Sequence, residues 1–305
     1  MLTFWVVSYR VDSDILVEGA FGMTKAIELL NIISEDEKEI LYNLVAFPDF
    51  FSVDWFSGNT NILPSKLFSV VMFLDKKLLI SSMENSPGFY EWTSKFPRDE
   101  FIQTIPSHEM SSYYRKAVEI LRNNLPKNEE TMVRMAHQCL LAGIEPCDLD
   151  TIFRAALIEE KNHKIFNAIR LYNAIIEYVE TITADELTKP SQELLHIFIK
   201  AIERRALLSV FDPDIKKLNR LLVSALDTAL YLEDRRSQAS LQLLIGQNYW
   251  MFFQYEQAIH HFDQGWEIIK SIDDTTLYKG DCSSRVSRSG LKAEHWKLFR
   301  LMKNR

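Results

Sequence analysis

The sequence predicts a mainly α-helical chain, with a small mixed part first and a stack of antiparallel helical hairpins after it. Gly and Pro number only nine each in 305 residues, while 47% of residues are hydrophobic. All-β folds need more turn-formers, and disordered chains carry fewer apolar residues. From Asn128 to about Asp274, Leu, Ile, Ala and aromatic residues recur at helical spacing with almost no strand signal. Breaks near Gly143–Pro146, Asn162–Lys164, Thr183–Pro190, Asp212–Asp214, Glu233–Arg236 and Gln254–Tyr255 divide that stretch into helices joined by short turns.

The elements follow in order. Leu2 to Tyr9 is rich in β-branched and aromatic residues and reads as one buried strand, with few partners elsewhere in the chain. Ser34 and Glu37 have the spacing of a capping box. Ile40, Leu41, Leu44 and Val45 then share one helical face, which Pro48 closes. A second helix is expected from Pro64 to about Lys77, buried along Leu67, Val70, Val71 and Leu74. Leu78-Leu79-Ile80 and Phe89-Tyr90-Glu91-Trp92 flank Pro87-Gly88 and read as a β-hairpin. Ser107 and Glu109 to Leu125 form a further helix.

Helix, helix, hairpin is the order of a winged-helix-like domain. DNA-binding members put basic and amide side chains of the second helix into the major groove. Here that helix offers Lys66, Lys76 and Lys77 among Leu, Phe and Val, which suits packing better than base reading.

Residues 239–272 carry the sharpest pattern. Gly246 and Ala258 are small where two helices of a hairpin would cross, and Tyr249 and Phe262 would fill the gaps beside them. With Gly265, these residues resemble one tetratricopeptide repeat, although Gln242 replaces a frequent aromatic and the terminal Pro is absent. Residues 149–180 carry the later half of the pattern in Ala168, Tyr172 and Ile175, while the earlier helix keeps Ala156 but has Glu159 at the aromatic position. Residues 194–232 form a degenerate third hairpin around Ala201, Leu208, Leu222, Ala225 and Ala229. The expected organisation is 1–33, a short N-terminal segment; 34–127, a winged-helix-like helical domain; 128–276, tetratricopeptide-like helical repeats; and 277–305, a basic tail.

In this order, residues 34–272 resemble the C-terminal half of signal-transduction ATPases with numerous domains, where a winged-helix-like domain leads into a tetratricopeptide-like array. Tyr113-Tyr114-Arg115-Lys116-Ala117 stands where that family's repeats open. The family's ATPase needs a Gly-rich phosphate loop ending in Lys-Ser/Thr, and this sequence has none. ATP binding is therefore not carried over, and residues 1–33 read as a remnant of that domain.

The seven His show no metal spacing, and the three Cys (Cys139, Cys147 and Cys282) suit neither a disulfide framework nor a zinc site. Asp212-Pro213-Asp214 reads as a helix-capping turn. The aromatic run Tyr249–Tyr255 reads as core. No catalytic residue, cofactor or metal is expected. The resemblance implies a groove lined by one helix of each hairpin, into which Leu243, Gln247 and Trp250 would point toward a protein or peptide partner.

The net charge is −7, but residues 277–305 hold eight Lys/Arg and two acids, so the tail is +6 and the rest −13. An acidic body disfavours a broad nucleic-acid surface. Leu291, Leu298 and Met302 would share a face of a basic tail helix. That reads as a solvated or capping extension, or as a contact with an anionic membrane or an acidic partner, this chain's own body included. No secretory signal or membrane span is expected, since Met1–Val7 is short and Arg10 and Asp12 follow it. The functional expectation is a non-catalytic interaction module of a cytoplasmic signalling or regulatory protein. Its alternatives are the sensor half of a regulatory ATPase, kinase or cyclase, and a DNA-binding regulator.

Overall fold

The computed structural model describes residues 28–56, 62–84, 86–184, 190–208 and 215–272. The expected strand at Leu2–Tyr9, the turn at Asp212–Asp214 and the basic tail lie outside these residues. The chain divides into two compact units, one up to Ala155 and the other from Ala156.

In the first unit, α1 (Glu35–Val45) carries the expected capping box. Glu37 accepts both the backbone N–H and the hydroxyl of Ser34, at 2.9 and 2.8 Å, which holds its carboxyl below the usual Glu range. Next come β1 (Phe50–Ser52), a 3-10 turn over Val53–Phe56, α2 (Pro64–Lys76), β2 (Ile80–Ser82) and β3 (Phe89–Trp92). The sheet is antiparallel, in the order β1-β3-β2. Phe51 pairs with Tyr90, and Ile80 with Trp92. The predicted hairpin is therefore two strands of three. α2 buries the predicted stripe Leu67, Val70, Val71 and Leu74.

Three helices complete this unit: α3 (Arg98–Gln103), α4 (Ser107–Asn124) and α5 (Glu129–Ala142). An α-helix ends with carbonyls that have no partner within the helix. At the end of α1 they are closed by distant side chains. The Arg98 guanidinium donates to Val45 O at 2.9 and 3.2 Å, Gln138 Nε2 donates to Ala46 O at 2.9 Å, and Trp92 Nε1 donates to Phe47 O at 2.9 Å. Arg98 also brings positive charge to the negative helix end. Gln138 is buried and α5 packs on α4. This is why residues 129–155 group with the first unit, although the sequence pattern starts the repeats at residue 128.

α6 (Leu149–Lys161) crosses the division. The second unit continues with α7 (Ile165–Ala184), α8 (Gln192–Leu207), α9 (Ile215–Tyr231), α10 (Arg235–Met251) and α11 (Tyr255–Ile272). From α7 onward each helix packs on the next, and α10 also reaches α8, two helices back. That pattern is a stack of helical hairpins, and the predicted breaks fall at or beside the helix junctions. A polar network is folded into it. Glu160 accepts from the Tyr172 hydroxyl at 3.1 Å and from Arg204 Nε at 3.2 Å, while the buried Glu159 accepts from Asn167 at 2.8 Å. Glu159 at an expected aromatic position is thus explained by a built-in partner.

Three turns in the stack share one geometry. His163, Glu233 and Phe253 each have φ near +60°, at 60°, 54° and 60°. The following N–H reaches back five residues in every case: Lys164 to Glu159 O, Asp234 to Ala229 O, and Gln254 to Tyr249 O. These are Schellman caps, whose left-handed position is usually Gly. A side chain there costs roughly 1–2 kcal/mol, partly offset by Gly's greater freedom when unfolded. Glu233→Gly is therefore expected to stabilise the protein by about 0.5–1 kcal/mol in urea titration, and Glu233→Ala to have little effect.

Candidate protein-binding surface

The α10–α11 hairpin is built on two glycines that accept each other's neighbours. A Cβ on Gly246 would lie 2.7 and 2.8 Å from ring atoms of Phe262 and 3.0 Å from Ala258 O. A Cβ on Gly265 would lie 3.1 Å from Leu243 Cδ2 and 3.2 Å from Ala239 O. Ala258 and Phe262 are buried between the helices. The Tyr249 ring stacks on His261, with centroids 5.4 Å apart. Asn219 bridges α9 to the end of α10, with its Nδ2 donating to the Tyr249 hydroxyl and its Oδ1 accepting from Asn248, both at 3.3 Å.

Leu243, Gln247 and Trp250 share one face of α10, as their spacing requires, and each is half-buried. That face is turned toward α11. Leu243 packs at Gly265, and the Trp250 ring meets Tyr255 edge-on at 4.9 Å.

The aromatic run beyond them differs from the core reading. Met251, Phe252, Phe253 and Tyr255 are exposed, Phe253 to 77%. The reason is the Schellman turn, which projects residues 252–254 off the end of the hairpin. Phe253 lies edge-on to Tyr255 at 6.2 Å, so Trp250, Tyr255 and Phe253 form a continuous aromatic edge. Sequence periodicity could not show this, because exposure here depends on a left-handed residue that is not Gly.

His261 Nδ1 lies 2.7 Å from Gln242 Oε1, and burial, with a smaller effect from His260, pushes its pKa below the usual imidazole value. A depressed imidazole contributes stability that is present above ~6.5, the unfolded value, and is lost as pH falls through the folded pKa. The melting temperature is expected to drop as pH is lowered from about 7 to 5, with the slope reduced in His261→Gln.

Two other surfaces bear on function. On the outer side of α2, Phe68 and Met72 are exposed to 51% and 71%. Lys66 is ion-paired with Asp36, and Lys77 lies 5.9 Å from the Phe73 ring centre. An apolar ridge, with one lysine ion-paired, is a poor phosphate surface. In the same unit, ligand atoms of Glu145, Cys147 and Asp148 lie within 4.8 Å of one another. The Asp148 carboxylate is held by Arg115 at 2.7 Å and faces Arg122 at 3.7 Å, so two guanidiniums oppose a cation there.

No family model matches the chain, and no curated protein does. Solved structures do. A protein of Podosopora anserina described as a kinesin light chain with nearly identical TPR-like repeats is 14% identical, with a TM-score of 0.36, over 68% of this chain and 86% of that one. A signal-transduction ATPase with numerous domains and a tetratricopeptide-repeat sensor, from Pyrococcus horikoshii, is 14% identical, with a TM-score of 0.33, over 91% of this chain and 53% of that one. The helix packing and the turns between helices define the fold. No described helix is long and apolar enough to cross a membrane.

Proposed function

We propose that this chain is a non-catalytic protein-interaction module of a cytoplasmic signalling or regulatory protein, binding a protein or peptide partner through its helical repeats. The contact is the aromatic edge of the α10–α11 hairpin: Phe253 and Tyr255, backed by Trp250 and Gln247.

The observation that carries this reading is Phe253 itself. A bulky side chain in the left-handed region is costly, and so is a phenyl ring left in water. Gly would relieve both costs at that turn. Exposed aromatics with few rotatable bonds are the residues that dominate protein interfaces. The exposed apolar ridge of α2 favours protein over DNA as the partner.

The test is affinity capture with the full chain. Wild type should retain a partner that Phe253→Ser/Tyr255→Ser loses at least ~10-fold, since interface aromatics contribute about 2 kcal/mol or more each. Trp250→Ala should weaken the same capture. Undiminished capture by the double variant, with unchanged helical circular dichroism, would remove the aromatic edge from the interface.

A further inference from the structure

The outer side of α11 is a second surface, separate from the aromatic edge. α11 packs chiefly on α10. Its opposite side presents Glu256, His260, Asp263 and Glu267 at positions i, i+4, i+7 and i+11, all exposed. Gln257, Gln264, Lys270 and Ser271 accompany them, and Trp266 is exposed to 37%. Glu256, Asp263 and Glu267 supply three carboxylates along this side, and Lys270 pairs with Glu267 at 2.7 Å. This side is therefore acidic, with one aromatic anchor.

The chain leaves α11 at Ile272, directly beside this surface. The sequence beyond it has the opposite charge, with eight Lys/Arg against two acids in residues 277–305, and it carries Leu291, Leu298 and Met302 at helical spacing. Reach is ample. Glu256 lies 16 residues back along the helix, or about 24 Å at ~1.5 Å per residue, a span that about eight extended residues cover.

We propose that the basic C-terminal segment, residues 277–305, docks on the outer face of α11 in the same molecule. Its Lys and Arg side chains face Glu256, Asp263 and Glu267, and its apolar residues cover Trp266. Each exposed ion pair is weak and screened by salt. The contact depends on several pairs acting together, on the apolar anchor, and on the high effective concentration of a tethered segment.

The experiment is zero-length carbodiimide cross-linking of the purified full chain, with linked peptides identified by mass spectrometry. Within monomers, Lys292, Lys297 or Lys303 should join Glu256, Asp263 or Glu267. The yield should fall at least ~5-fold between 20 and 500 mM salt, as the screening length shrinks to a few ångströms. Asp263→Lys/Glu267→Lys, at exposed positions, should abolish these links. Adding Lys297→Glu/Lys303→Glu to that variant should restore links of reversed polarity. Links confined to dimers would assign the surface to a second copy and overturn the proposal. Tail links scattered over acids of the first unit, or a yield indifferent to salt and to charge reversal, would also overturn it. So would an unlinked tail that binds vesicles of anionic lipid.

Discussion

Gly246→Leu should destabilise the protein by about 3 kcal/mol or more in urea or thermal unfolding, the upper range for overpacking a tight contact. A single added Cβ would already stand 2.7 Å from the Phe262 ring and 3.0 Å from Ala258 O. Neither neighbour yields easily. Phe262 is buried between two helices, and Ala258 O belongs to the backbone of α11. The longer side chain must therefore push α11 away from α10, opening the contact that the Tyr249–His261 stack and the Leu243–Gly265 packing share.

Alanine at the two glycines separates close approach from helix propensity. Ala favours a helix interior over Gly by about 1 kcal/mol. At Gly246 the clash should outweigh that gain and leave a net loss of roughly 1–2 kcal/mol. At Gly265 the nearest atom is the flexible end of Leu243, at 3.1 Å, and Ala239 O and Gln242 Cβ stand at 3.2 Å, a milder crowding than the 2.7 Å at Gly246. Gly265→Ala should therefore fall within about 1 kcal/mol of wild type. Equal stability of wild type and Gly246→Ala would show that the spacing of this hairpin is set elsewhere.

Where local pattern decides structure, the sequence was readable. The capping box at Ser34, the buried stripe of α2 and the breaks between the later helices all depend on residues within one or two turns of each other. β1 was not readable, because three residues gain strand geometry only by pairing with β3, some forty positions later. α3 has six residues, too few for a periodic signal. The Schellman turns were located as breaks, but their left-handed residues are His, Glu and Phe, so no Gly marked the geometry. The aromatic edge followed from the same omission. Position in the repeat placed Leu243, Gln247 and Trp250 on one face. Which way that face turns depends on the close approach of α11, a tertiary fact.

Asp148→Ala should be the most damaging change in the first unit, and it concerns a cluster gathered from distant parts of the sequence. Asp148 is fully buried at the end of a 3-10 turn. Its Oδ2 accepts from Arg115 Nη1 at 2.7 Å and from Glu145 N–H at 3.0 Å, and Arg122 lies 3.7 Å from its Oδ1. Arg115 also donates to Gly143 O and lies 3.4 Å from Glu145. The guanidinium therefore ties α4 to the whole 143–148 connection. Cys139 lies against the same carboxylate, and burial, aided by Asp148, pushes its thiol up to about 12. The cysteine is held neutral and inert, in keeping with a packing role. Removing Asp148 leaves Arg115 largely buried without its principal anion and frees the Glu145 N–H. Breaking such a pair from one side costs about 3–5 kcal/mol when fully buried, and roughly 2–4 here because Arg115 retains some exposure. The double variant Arg115→Met/Asp148→Leu should recover much of that loss, because paired apolar replacement removes both desolvated charges together. A double-mutant cycle giving a coupling below about 0.5 kcal/mol would show that the two charges are independent and that the connection is held by packing alone.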